Sequence, residues 1–180
     1  AHATAYVMMA FRIAWFKINE PLAYYATFFT QRDTEWDLDI LYKEPAEMLK
    51  YIEIVKAKSK WDRTDKETGV VATLEIVLEM LSRGYTIQNI SLDKSHASDW
   101  IVDKETNSLI PPFNIIEGYG ELAAQKLVDS REEKPFTTLK DFDARSIVNK
   151  AVREKMYDNG ILKSLKNDVE EIGYTIFGEF

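Results

Sequence analysis

Two glycines one residue apart, Gly118 and Gly120, stand between the aliphatic pair Ile115-Ile116 and a run of helical period from Glu121 to Arg131, and this constrains the chain more than any other stretch. Glycine reaches positive φ and lets the main chain approach a ligand with no Cβ in the way. A helix opening near Glu121 then presents unpaired N–H groups and the positive end of its dipole, a combination that suits a phosphate. Such a grip reads no base edge, so it is indifferent to nucleotide sequence, with Gly118, Tyr119, Gly120 and Glu121 forming the turn and Lys126 and Arg131 as charge partners. Taken alone, Gly-Tyr-Gly also fits a plain tight turn between packed helices.

The charge of the whole chain pulls against phosphate binding. Its 180 residues carry a net charge of −7, whereas polyanion binding rests largely on Lys and Arg releasing counterions. Residues 1–110 hold 13 basic and 17 acidic side chains, residues 111–166 hold 10 and 9, and residues 167–180 hold none and 4. Only the middle block tolerates phosphates, and there a hairpin must work through backbone N–H groups more than through charge, with weak affinity when untethered. The chain has no Cys, and its only histidines are His2 and His96, which excludes a disulfide framework and a histidine-rich metal site. A cytoplasmic setting is expected. The most apolar stretch, residues 5–16, is interrupted by Arg12 and is shorter than the roughly 20 residues needed to span a bilayer; it reads as a buried core helix rather than a membrane segment. The abrupt Ala1-His2 start, unlike a signal peptide, suggests a piece of something larger.

Along the chain, residues 3–18 have a crowded apolar helical pattern, nearly all round the helix, as if it lay against a larger body. Asn19 and Pro21 mark the start of a second helix. Pro45 opens another, with Leu49, Ile52 and Val55 on one face. Thr64 and Glu67 have capping-box spacing, and the stripe Leu74, Val77, Leu78 and Leu81 ends at Gly84, a natural left-handed stop. Between Tyr85 and Pro112 short β-branched runs (86–92, 99–102 and 108–110) predict a small β element. Pro111-Pro112 forbids an immediate helix and opens a second domain.

Three other groups attract functional readings. Asp33, Glu35, Asp37 and Asp39 alternate with Trp36, Leu38 and Ile40 and fit a solvated helix start better than a calcium loop, which needs a sharp-turn Gly and a late bidentate Glu. Ser95, His96 and Asp99 are too close in sequence to converge as a triad and read as a surface turn. The aromatic set Trp15, Phe16, Tyr24, Tyr25, Phe28 and Phe29 has helical spacing, which favours core over base stacking.

The longer context of the hairpin runs from Ile110-Pro111-Pro112-Phe113-Asn114 through Arg131, then Pro135-Phe136, Leu139-Lys140-Asp141-Phe142, and Asn149 to Leu162 with its Asn159-Gly160 end. It resembles the polymerase III alpha-subunit family throughout, in which a Gly-hydrophobic-Gly hairpin precedes a helix ending in Arg, and a second helix closes at a glycine. Upstream, Ala1 to Val7, Arg12-Ile13-Ala14-Trp15-Phe16-Lys17 and Pro21 to Ala26 resemble the end of that family's fingers domain, and the match is close to the PolC branch. The resemblance implies a mainly α C-terminal fragment with a small β element: distal fingers and a connecting helical/β region over 1–110, a tandem helix-hairpin-helix domain over 111–166 with a degenerate second copy, and a tail over 167–180. It also implies double-stranded DNA and the rest of the polymerase chain as partners, and His2 as a nucleotide-binding residue. Tyr174, Ile176 and Phe177 resemble, without its Gln, the tail motif that docks in a sliding clamp. The palm carboxylates and their Mg²⁺, needed for nucleotidyl transfer, would lie outside the fragment, as would the 3′–5′ exonuclease; the fragment itself is expected to be inactive, with no cofactor or metal of its own. The rival reading is a stand-alone helical interaction protein whose hairpin is only structural and whose acidic surface meets a basic partner.

Overall fold

A computed structural model of the chain describes residues 2–32 and 35–166. They are mainly helical with one small sheet and divide into two compact units: residues 1–88 with 99–111, and residues 89–98 with the chain from Pro112 onward. Pro111-Pro112 lies at the division, but the loop Asn89–Ser98 belongs to the second unit rather than the first.

In the first unit, α1 (His2–Asn19) and α2 (Pro21–Gln31) meet at Glu20, with Pro21 in the first turn, where a missing N–H costs nothing. Short α3 (Leu38–Leu41) begins on Asp37, whose carboxylate accepts from the Asp39 amide at 3.0 Å, so this carboxylate of the acidic run serves as a helix cap. Helix α4 (Pro45–Ala57) buries Met48, Ile52 and Val55; Leu49 is half exposed, one position off the expected face. Helix α5 (Asp65–Ser82) opens on the expected capping box, Glu67 N–H donating to Thr64 Oγ1 at 3.1 Å and Thr64 N–H to Glu67 Oε2 at 3.0 Å. It ends at Gly84 (φ +87°), whose amide donates to the Leu81 carbonyl while the Tyr85 amide reaches that of Met80.

The sheet has the order β1 (Thr86–Ile87), β3 (Ser108–Ile110), β2 (Ile101–Asp103), with β1 parallel and β2 antiparallel to the centre. The first strand is shorter than its β-branched run because residues 89–98 leave for the second unit. Tyr25, Phe29, Trp100 and Leu109 lie in the core, with Phe29 and Trp100 ring centroids 5.1 Å apart.

Helix α1 corrects an expectation. Read as a buried core helix, it has no buried residue, and Phe11 is 73% exposed. It packs mainly along α2, and near its end Lys17 donates to Glu79 of α5 at 2.7 Å. Two neighbours cannot cover a helix that is apolar all round.

The second unit begins its helical part with a 3₁₀ turn, Phe113–Ile115, followed by α6 (Glu121–Glu133), α7 (Leu139–Arg145) and α8 (Lys150–Asp158). Its buried side chains include Phe113, Ile116, Leu127, Phe142, Val152 and Met156. Among the described residues no helix is long and apolar enough to cross a membrane.

Candidate nucleic-acid interface

The hairpin between the 3₁₀ turn and α6 is built by two short-range bonds: the Ile116 amide donates to the Phe113 carbonyl at 3.1 Å, and the Tyr119 amide to that of Ile116 at 2.9 Å. The two glycines do different work. Gly118 sits at φ +82°, where a Cβ is strained. Gly120 sits at φ −74°, which any residue adopts, but a Cβ there would meet nothing within 4 Å. The first glycine shapes the turn and the second leaves open space at the start of α6.

That start is uncovered. Gly120 supplies no side-chain cap, and its carbonyl accepts from Ala123 and Ala124, each at 3.0 Å. The amides of Gly120, Glu121 and Leu122 meet no acceptor among the described residues. Tyr119 points inward: its ring is buried, its hydroxyl donates to the Ala123 carbonyl at 3.1 Å, and burial pushes its pKa up to about 12. It anchors the turn, so any part it plays with a ligand comes through its backbone. Leu122, 83% exposed, stands at the rim.

The expected charge partners part company. Lys126 is exposed and makes no hydrogen bond or ion pair among the described residues. Arg131 turns into its own unit, donating to the carbonyls of Leu92 (3.1 Å) and Ser95 (2.6 Å), and burial lowers its pKa. The same loop also accepts the amides of Phe113 (His96 carbonyl, 2.9 Å) and Asn114 (Ala97 carbonyl, 3.0 Å). Arg131 is thus replaced as a ligand candidate by a structural use: it pins the loop that supports the run into the hairpin. Ser95, expected in a surface turn, is fully buried, its Oγ accepting the Ser91 amide at 2.9 Å. The start of this loop reads as part of a β-branched run, and its partners Arg131, Phe113 and Asn114 are distant in sequence, so its support role is not legible in the sequence.

Helix α8 closes on the hairpin from its other side. Lys155 Nζ donates to Glu117 Oε2 at 2.6 Å, and Val152 Cγ2 lies 3.9 Å from where a Gly118 Cβ would stand. The pair Lys155–Glu117 offsets one of the carboxylates that crowd the turn. Helix α8 stops at Gly160 (φ +72°), with the Ile161 amide on the Met156 carbonyl and that of Gly160 on the Tyr157 carbonyl. Between α7 and α8 lies a second hairpin, residues 146–149, in which Asn149 Oδ1 accepts the Val152 amide at 2.9 Å.

Residues 84–172 match the family described as the helix-hairpin-helix motif. Over 92% of its length the chain is 45% identical to a PolC-type DNA polymerase III of Mycoplasmopsis pulmonis. This chain is a homologue of PolC-type DNA polymerase III. Its relatives in the same family include the Bacillus subtilis protein, 42% identical over 92% of the chain, and that of Ureaplasma parvum, 37% identical over 92%. The chain spans about 12% of the length of these PolC relatives. The hairpin, α6, α7 and α8 all fall within the matched motif.

The remaining candidates lie apart from the hairpin in sequence and role. His2 is in the first turn of α1, in the first unit, exposed, its ring centroid 4.6 Å from that of Tyr6. Tyr174, Ile176 and Phe177 lie outside the described residues. Of the aromatic set, Tyr25 and Phe29 are core, while Trp15 and Phe16 are about half exposed on α1.

Proposed function

We propose that this segment holds duplex DNA by its backbone, independently of sequence, as one part of a replicative DNA polymerase. The observation that carries the reading is the uncovered start of α6: main-chain donors of Gly120, Glu121 and Leu122 with no acceptor of their own, beside a left-handed Gly118 and under open space. The relatives' name, DNA polymerase III, supplies the polyanion. Lys126 adds one uncommitted cation. With Glu117 and Glu121 at the turn, the affinity of the segment alone is weak and gains by tethering to a longer chain.

In this reading the longer chain, in a bacterial cytoplasm, adds deoxynucleotides to a primer with Mg²⁺ and carries its 3′–5′ exonuclease elsewhere, while His2 contributes to the nucleotide site. In the same reading the palm carboxylates that hold the Mg²⁺ lie elsewhere in the longer chain, and the segment does not polymerise alone. The tail anchors Tyr174, Ile176 and Phe177 are assigned to a sliding-clamp groove; a pull-down with a bacterial clamp should lose signal on Phe177→Ala, and no capture by the wild type ends that assignment.

The decisive experiment is a duplex titration at about 50 and 200 mM salt. Gly120→Asp keeps an allowed backbone, supplies α6 with its own cap and puts a carboxylate where the phosphate would sit. Folding should be retained and duplex binding lost. If the wild type does not bind duplex, or the variant binds equally well, the hairpin is a structural turn and the interaction-protein reading replaces this one.

A further inference from the structure

The loop joining α4 to α5 is braced at nearly every residue. Arg63 donates to the carbonyls of Lys56 (2.8 Å) and Lys58 (3.1 Å). Ser59 Oγ donates to Asp62 Oδ2 at 2.7 Å, and the Asp62 amide returns to the Ser59 carbonyl at 3.1 Å. Lys58 pairs with Glu67, which also closes the capping box on Thr64. A loop held this way has little freedom left to lose on binding.

At its tip Trp61 is 94% exposed, more than any other large apolar side chain among the described residues. Its setting differs from that of α1, whose exposed apolar residues run together along a whole helix. Trp61 stands alone among charges, with Lys60 and Asp62 both exposed beside it. A single ring among charges offers far less apolar area than a stable protein interface buries. Residues 56–66 carry five basic and two acidic side chains in a chain whose net charge is −7. Lys60 makes no ion pair or hydrogen bond among the described residues.

An isolated aromatic on a braced loop beside an uncommitted cation is the chemistry that single-stranded nucleic acid uses: a base lies on the ring and the adjoining phosphate meets the ammonium. We propose that Trp61 and Lys60 form a stacking site for single-stranded nucleic acid. The site belongs to the first unit and does not rest on the hairpin's reading.

The test is fluorescence anisotropy of a labelled oligo-dT about 20 nucleotides long against the full chain at low salt, which is compatible with the known span of such sites. Trp61→Ala should weaken binding by roughly fivefold or more, the size of one lost base–aromatic stack. Trp61→Phe should recover most of it, and Lys60→Glu should weaken binding and flatten its salt dependence. Far-UV circular dichroism of each variant should match the wild type, because an indole this exposed supports nothing. Failure of the wild type to bind oligo-dT overturns the proposal. So does equal binding by Trp61→Ala, which would leave the indole as a contact for a protein pocket.

Discussion

The two hairpins of the second unit solve the same connection with opposite chemistry. The first turns through a left-handed Gly118 and enters α6 from Gly120, with no side chain over the helix start and Glu121 as its first residue. The second, residues 146–149, contains no left-handed residue, enters α8 from Asn149, and has the exposed Lys150 as its first residue. In α8 the Asn149 carboxamide oxygen occupies the region an anion would take. A helix start capped by its own side chain is more stable as a helix and less open to a guest; one entered from glycine is the reverse. Asn149 thus closes its own helix start, whereas Gly120 leaves that of α6 open.

The largest effect should come from Gly118→Val. A β-branched residue at φ +82° costs more than the roughly 1–2 kcal/mol of an ordinary left-handed residue, and the turn must shift. Duplex affinity should fall at least about tenfold, and chemical denaturation should show the stability loss; unchanged affinity would place the contact elsewhere.

Arg131→Met should come next. Leaving the Leu92 and Ser95 carbonyls without their donor should cost about 1–3 kcal/mol by denaturation. The salt dependence of duplex binding should keep its slope, whereas Lys126→Ala should lower that slope by about 1. A slope change in the Arg131 variant would return it to the phosphate contacts.

The second unit should also lose stability at both ends of the pH scale. The Tyr119 phenol is raised by burial to about 12, against about 10 when unfolded. A raised acid favours the folded state while it is neutral, so this stability is present below pH 10 and is lost as pH rises from 10 towards 12. Tyr119→Phe should remove that alkaline limb from a denaturation series. The Asp141 carboxylate in α7 is held below its ordinary value, chiefly by the bidentate Arg145 guanidinium. Its contribution is present above the unfolded pKa and is lost as pH falls through the folded value, so Asp141→Asn should flatten the acid limb. If both limbs persist in the variants, other groups control them.

The smallest effect should be Asn149→Gly, which removes the second hairpin's cap at a few tenths of a kcal/mol. Duplex affinity should stay within twofold, on the order of the noise of such titrations. A rise would show that the second hairpin, once uncapped, also holds DNA.

Local chemistry made much of this legible in advance. Thr64 and Glu67 announce a helix start, Gly84 and Gly160 announce helix stops, and Gly118 announces a turn that only glycine makes without strain. These signals were readable because each depends on residues within about one helical turn of one another. The family resemblance rested on the same short stretches, and homology to the PolC-type chains followed them. The buried face of α4 lies one residue from the expected one, because Met48 and Leu49 are both apolar and only packing chooses between them.

What the sequence by itself determined, then, was where helices begin and end, that a glycine hairpin opens α6, and that the fold is mainly helical. Only the tertiary structure decided that Gly120 lies under open space, that Tyr119 faces inward, that Arg131 holds a loop 39 residues away at Leu92, and that α1 has no buried residue. The physical reason is range. Backbone conformation is set by neighbours along the chain, whereas the partner of a guanidinium or the cover of an apolar face is set by whatever distant segment packing brings beside it.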